Sequence, residues 1–135
     1  MTIDYEIVER LPTADEHEAL FHSVGWDDHM DARARAASLA GSLHGAVALN
    51  RGDAVAMARV VGDGAHYFYL QDVVVHPDHA ENGLGPLLTV ALLDWIRSRS
   101  QPTAFVGLFA SPEAEAMYAD LGFVTTDMTG MYLDR

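Results

Sequence analysis

The run Gln71-Asp72-Val73-Val74-Val75-His76-Pro77-Asp78-His79-Ala80-Glu81-Asn82-Gly83-Leu84-Gly85-Pro86-Leu87-Leu88 decides the fold. It reads as a buried strand, a glycine-containing turn and the opening of an apolar helix. A strand that passes into a helix through Gly-x-Gly leaves the first helical N–H groups facing whatever lies over the turn, with the positive end of the helix dipole behind them. That arrangement suits a pyrophosphate. Beyond the turn, Leu84, Leu87, Leu88, Ala91, Leu92 and Trp95 recur at spacings of three and four, which buries one helix face and places Trp95 in the core.

The chain has 135 residues, enough for one compact domain spanning residues 1–135 and too few for two ordinary ones. Half of it is apolar, with no run of 18 apolar residues to cross a bilayer. The N-terminus, Met1-Thr2-Ile3-Asp4-Tyr5-Glu6, is acidic where a signal peptide is basic, so a cytoplasmic protein is expected. The absence of cysteine excludes disulfides, thiolate zinc sites and covalent thiol intermediates. Twenty acidic residues face eight basic ones, all arginine, for a net charge of −12. Nucleic acid is therefore not an expected partner, since it needs a basic stripe. The acidity reads either as solubility or as attraction for a cationic substrate such as an amine.

Around the central run the signals are local. Residues 5–8 form a first strand, and Thr13 with Glu16 makes a capping box for a helix ending near Gly25. The alanine-rich stretch from Asp31 to about Leu43 is a second helix. Residues 45–49 and 54–61 flank Asn50-Arg51-Gly52-Asp53, a hairpin turn by composition. Gly62-Asp63-Gly64 turns the chain into the longest strand, residues 67–75. After the central helix, residues 104–109 are a strand. Ser111-Pro112-Glu113 opens a helix that glycine at 122 closes. Residues 131–133 end as a short strand. The order predicts an α/β (α+β) fold, a mixed sheet with helices on both faces.

From about Gly45 to Leu133 these residues resemble the GNAT superfamily of acyl-CoA-dependent N-acyltransferases, in particular its small bacterial members. Three pieces occur in order: Gln71 to Pro77 with Gly83-x-Gly85, the strand from Phe105 to Ala110, and Met117-Tyr118-Ala119-Asp120-Leu121-Gly122-Phe123. The resemblance implies a central sheet whose strands splay, so that the pantetheine arm of acetyl-CoA pairs with the backbone of Val73, Val74 and Val75. It also implies that the turn amides around Asn82, Gly83, Leu84, Gly85 and Leu87 hold the pyrophosphate, and it sets Ser111 where the family often has a cofactor-binding asparagine. Ser111 is equally read as a helix N-cap. The family usually has Arg or Gln at the position of Ala80, Gly at Glu81 and a base at Asn82. Pro86 also removes an N–H. Weak cofactor binding is expected.

By the same resemblance Tyr118, four residues before Gly122, is the acid that protonates the departing thiolate, a role a phenol can fill at neutral pH. Gln71 stands where some polyamine-acetylating relatives have a glutamate base; an amide cannot take a proton, though it can orient the acceptor or a water. Asp72, by the period of two, faces the opposite side and takes a structural hydrogen bond. Tyr67 and Tyr69 share a face with Gln71 and line an acceptor slot or a mixed aromatic core. Trp26, Asp27 and Asp28 lie in the loop that forms one wall of the family's acceptor pocket, where an aromatic beside carboxylates suits an ammonium group. A helix-capping Asp pair with a half-buried Trp is the other reading. His76 and His79 sit in the phosphate turn, and no metal site is expected there. The expected activity is acetyl transfer to a small primary amine, with a homodimer allowed. The competing class is a non-catalytic binding or regulatory module with the same fold.

Overall fold

The computed structural model describes residues 4–135; Met1, Thr2 and Ile3, part of the acidic N-terminus read above, lie outside the described residues. Five strands form one sheet in the order β1 (Glu6–Val8), β2 (His44–Asn50), β3 (Asp53–Gly62), β4 (Tyr67–Val75) and β5 (Phe105–Gly107). The first four pair antiparallel, and β5 joins β4 in parallel. Helices α1 (Ala14–Ser23) and α2 (Ala32–Ala40) precede β2, α3 (Leu84–Arg99) separates β4 from β5, and α4 (Glu115–Asp120) follows.

Local chemistry explains most boundaries. The Thr13 hydroxyl accepts from the Glu16 amide and the Glu16 carboxylate accepts from the Thr13 amide, so the capping box starts α1 as expected. The Asp31 side chain caps α2, which stops at Ala40, earlier than Leu43, where Gly41 takes the C-cap. Asn50 and Asp53 are paired strand residues, leaving a two-residue loop, Arg51-Gly52, in which both residues have positive φ. Between β3 and β4 the turn is held by Asp63, whose carboxylate accepts from the amides of Ala65, His66 and Tyr67. Those bonds hold its carboxyl down at about 2. Gly62 before it has φ +148, and a Cβ there would stand 2.0 Å from the Tyr67 carbonyl oxygen, so no other residue fits.

Two apolar layers sandwich the sheet. On one side Leu84, Leu88, Leu92 and Ile96 of α3 bury against Ala46, Ala58, Val60, Phe68 and Leu70. Burying each large side chain contributes about 1.5–3 kcal/mol, which is what holds α3 to the sheet. On the other side Leu20 and Phe21 of α1 pack on Met57 and Val74. Trp95 is half-buried at the edge of the α3 layer, stacked on the His44 ring at 4.6 Å. Among the described residues no helix is long and apolar enough to cross a membrane.

Three expectations are corrected. The fourth helix begins at Glu115: the chain first turns through an Ala114 N–H to Ser111 carbonyl bond, and the first helical bond runs from Tyr118 N–H to Ala114. Ser111 is therefore exposed and lies before the helix, too early to cap it. Residues 131–133 form no strand; among the described residues no partner strand meets them, and Met131, Tyr132 and Leu133 are more than four-fifths exposed. Asp72 does not face away from Gln71. Gln71 pairs with Arg59 and Val74 with Met57, so Asp72 and Val73 together oppose the single residue Ala58. This bulge, with Asp72 at φ +53, reverses the phase of the strand.

Candidate active site

The β4–β5 ladder is short. It covers Tyr67, Phe68 and Tyr69 against Phe105, Val106 and Gly107, and ends there. Among the described residues Val73, Val74 and Val75 have no partner on that side, which is the splay expected between the two strands. Their side chains serve the core, Val73 and Val75 against the α3 layer and Val74 on the α1 layer, while the backbone edge toward β5 is open.

Leu84, at the start of α3, packs in the same apolar layer as Val73 and Val75. Gly83 is the N-cap of α3 at φ +73, a conformation that suits glycine. Leu84 and Gly85, the first two helical residues, have no acceptor within the helix for their N–H groups. Pro86 has no N–H, and the Leu87 amide already bonds the Gly83 carbonyl at 3.2 Å. Of the expected turn amides, Leu87 is thus spent internally, while those of Leu84 and Gly85 have no partner among the described residues and can meet an anion. Asn82 is also committed: its side-chain amide donates to the Tyr5 hydroxyl, which in turn lies 2.6 Å from His79 Nδ1. The turn holds no arginine or lysine, and Glu81 is exposed beside it.

A cavity of about 1040 Å³ lies along β5 and α4, with Tyr69, Phe105, Leu108, Tyr118, Phe123 and Met128 in its wall. Tyr118 is 7 % exposed, its ring edge-on to Phe123, and burial pushes the phenol above its ordinary value. Among the described residues its hydroxyl has no hydrogen-bond partner, so the proton is available to a molecule in the cavity. Gln71, half-buried two positions along β4 from Tyr69, projects on the face of its partner Arg59. Met117, next to Tyr118, touches the open side of Gly85: a Cβ on that glycine would be 3.4 Å from the Met117 Cε. The phosphate turn and the tyrosine helix are therefore adjacent.

The loop residues lie elsewhere. Trp26 stacks on His29 and meets Phe21 edge-on, closing the end of the α1 layer. Asp27 pairs with His22, raising that imidazole's pKa, and borders a shallow depression with Asp15 and Glu18. Asp28 is exposed. None of the three lines the larger cavity.

Sequence reasoning missed a buried polar cluster. His17 is fully buried, its Nδ1 accepting from Arg35 Nε at 3.1 Å and its Nε2 2.9 Å from Asp72 Oδ2. Arg59 Nε donates to the same oxygen at 2.7 Å. Burial alone would raise the Asp72 carboxyl, but the bonds from His17 and Arg59 and the Arg59 charge outweigh it and hold the group below the usual carboxylate range. The available signals were a histidine on the apolar stripe with Leu20 and Phe21, and an arginine inside the otherwise apolar β3.

Residues 11–123 match the Acetyltransferase (GNAT) family, and the chain belongs to it. The match begins earlier than Gly45 and stops before the unpaired tail. A curated relative, the uncharacterized N-acetyltransferase ycf52 of Gracilaria tenuistipitata var. liui, is 34% identical over 71 residues, 53% of this chain and 38% of that protein. The chain thus spans well under half the length of that relative. Among solved structures, the protein of unknown function SA2161 from meticillin-resistant Staphylococcus aureus superposes with a TM-score of 0.88 at 24% identity, over 98% of this chain and all of that one. The aminoglycoside N-acetyltransferase AAC(6')-Iy, solved in complex with CoA, has a TM-score of 0.70 at 20% identity over 100% and 97% of the chains. Both share the fold.

Proposed function

We propose that the protein is an acetyl-CoA-dependent N-acetyltransferase acting on a small primary amine by direct attack. The observation that carries this reading is the open edge of β4 beyond Tyr69, with Tyr69 and the buried phenol of Tyr118 in the wall of one cavity and Gly85 of the α3 N-terminus beside Met117. An extended pantetheine chain would pair with the backbone of residues 73–75 as an added strand, its pyrophosphate at the α3 N-terminus. The amine nitrogen attacks the thioester carbonyl and the C–S bond breaks. The backbone near Val73 polarises the carbonyl, Tyr118 gives its proton to the leaving thiolate, and water takes the amine's proton. Gln71 and Tyr69 orient the acceptor, and Asp27 and Asp28 draw a cationic one toward the molecule.

The test is calorimetric titration with acetyl-CoA and CoA, followed by thiol release with a panel of amines. Binding and amine-dependent release support the reading. Absence of binding at millimolar ligand overturns it in favour of a module that keeps the fold without the chemistry, the reading toward which Ala80, Glu81 and Pro86 lean.

A further inference from the structure

Of the four buried polar side chains among the described residues, Thr89 bonds back to its own helix, His17 and Arg59 converge on one residue of β4, and Arg35 holds His17 from behind. That residue of β4 is Asp72, which sits at the bulge in the left-handed region, a conformation uncommon for residues other than glycine and most accessible to Asn and Asp among them. His17 belongs to α1. Arg59 is anchored at the end of α2, donating to the Ser38 carbonyl and to the Ser38 and Ser42 hydroxyls. Because Arg35 Nε–H donates to His17 Nδ1, the ring's Nε2–H is the one that donates to Asp72, which fixes its direction.

We propose that Asp72 is a positioning residue: α1 and α2, through His17 and Arg59, grip its carboxylate and so fix the bulge that presents the Val73 amide on the open edge of β4. The inference rests on the acetyl-transfer reading for its kinetic consequence, and on geometry alone for its structural one. A slip of one residue would exchange the faces of Val73, Val74 and Val75, so the clamp sets register as well as direction. Both bonds land on the same oxygen, Oδ2, so an amide oxygen at this position can accept them too.

The experiment compares Asp72→Gly, which keeps the backbone conformation accessible while removing the grip, with the conservative Asp72→Asn. Asp72→Gly is expected to lower kcat at least tenfold while acetyl-CoA affinity changes less than threefold, and Asp72→Asn to recover most of the turnover. In ligand-free protein, the Val73 amide resonance should be broadened or split in Asp72→Gly and remain a single sharp line in Asp72→Asn. A folded Asp72→Gly protein with wild-type kcat, or with a single sharp Val73 resonance, overturns the proposal. Should the wild type turn over no amine, the acetyl-transfer reading fails, and the resonance comparison decides the clamp on its own.

Discussion

The Asn82 side-chain amide donates a 2.6 Å hydrogen bond to the hydroxyl of Tyr5, 77 positions earlier in the chain. The residue that follows the turn's last carboxylate is thereby tied to the entrance of β1, and the same hydroxyl meets His79. The turn is pre-shaped by this link. Tyr5→Phe removes both bonds and is expected to weaken acetyl-CoA binding threefold to tenfold, read by calorimetry, with unchanged far-UV circular dichroism. Equal affinity would show that the turn needs no brace.

Affinity itself should be low. Charge-assisted hydrogen bonds contribute about 1.5–3 kcal/mol each, so a turn without basic side chains and short of amides at Pro86 and Leu87 loses roughly two orders of magnitude. A dissociation constant for acetyl-CoA in the upper micromolar range or weaker is expected. Ala80→Arg combined with Glu81→Gly adds a cation and removes an anion, and titration should find it tighter by about tenfold or more.

Tyr118→Phe should cut turnover by roughly ten- to a thousandfold with acetyl-CoA affinity nearly unchanged, since the hydroxyl matters only as the thiolate departs. The raised pKa of the buried phenol keeps it protonated through neutral and mildly alkaline pH. Steady-state thiol release checks the first statement. Unchanged turnover would assign the proton to solvent.

Acid should unfold the protein partly through Asp72. Its carboxyl is lowered in the folded state from an ordinary 3.8, so on acidification the unfolded chain takes the proton first. Stability from this group is full above the unfolded value and is lost as pH falls through the folded one. Urea midpoints measured from pH 6 to pH 2 should fall below about pH 4, and Asp72→Asn should flatten part of that fall. A slope equal to wild type would place the acid sensitivity elsewhere.

Exposed Asp27 and Asp28, in a molecule of net charge −12, should favour cationic acceptors, with an apparent affinity that declines as salt is added. Asp27→Asn with Asp28→Asn should raise KM for a polyamine at low salt and leave KM for acetyl-CoA unchanged. If KM for the amine stays put, the loop only joins α1 to α2.

Much of this architecture was legible because its signals are local. A Thr13/Glu16 capping box, an Arg51-Gly52 hairpin and a glycine N-cap each announce themselves within four residues. What escaped depended on partners far along the chain. Whether residues 131–133 form a strand is decided by a neighbour that does not meet them. The four-residue grip of His17, Arg35, Arg59 and Asp72 joins positions spread over three elements and a bulge, and no window of sequence contains it. The start of α4 failed for a subtler reason: Ser-Pro-Glu is a good first turn, but the chain spends it on an isolated turn before the helix.

The bulge also predicts how β4 should tolerate change. Before Asp72 the even positions, Phe68 and Leu70, enter the α3 layer; after it the odd positions, Val73 and Val75, do. A saturation scan of residues 67–75 should therefore record a period-two pattern of intolerance to polar substitution that switches parity at a single residue. Any designed chimera that grafts a regular strand into this position would inherit the wrong parity over half its length, however well its composition matched.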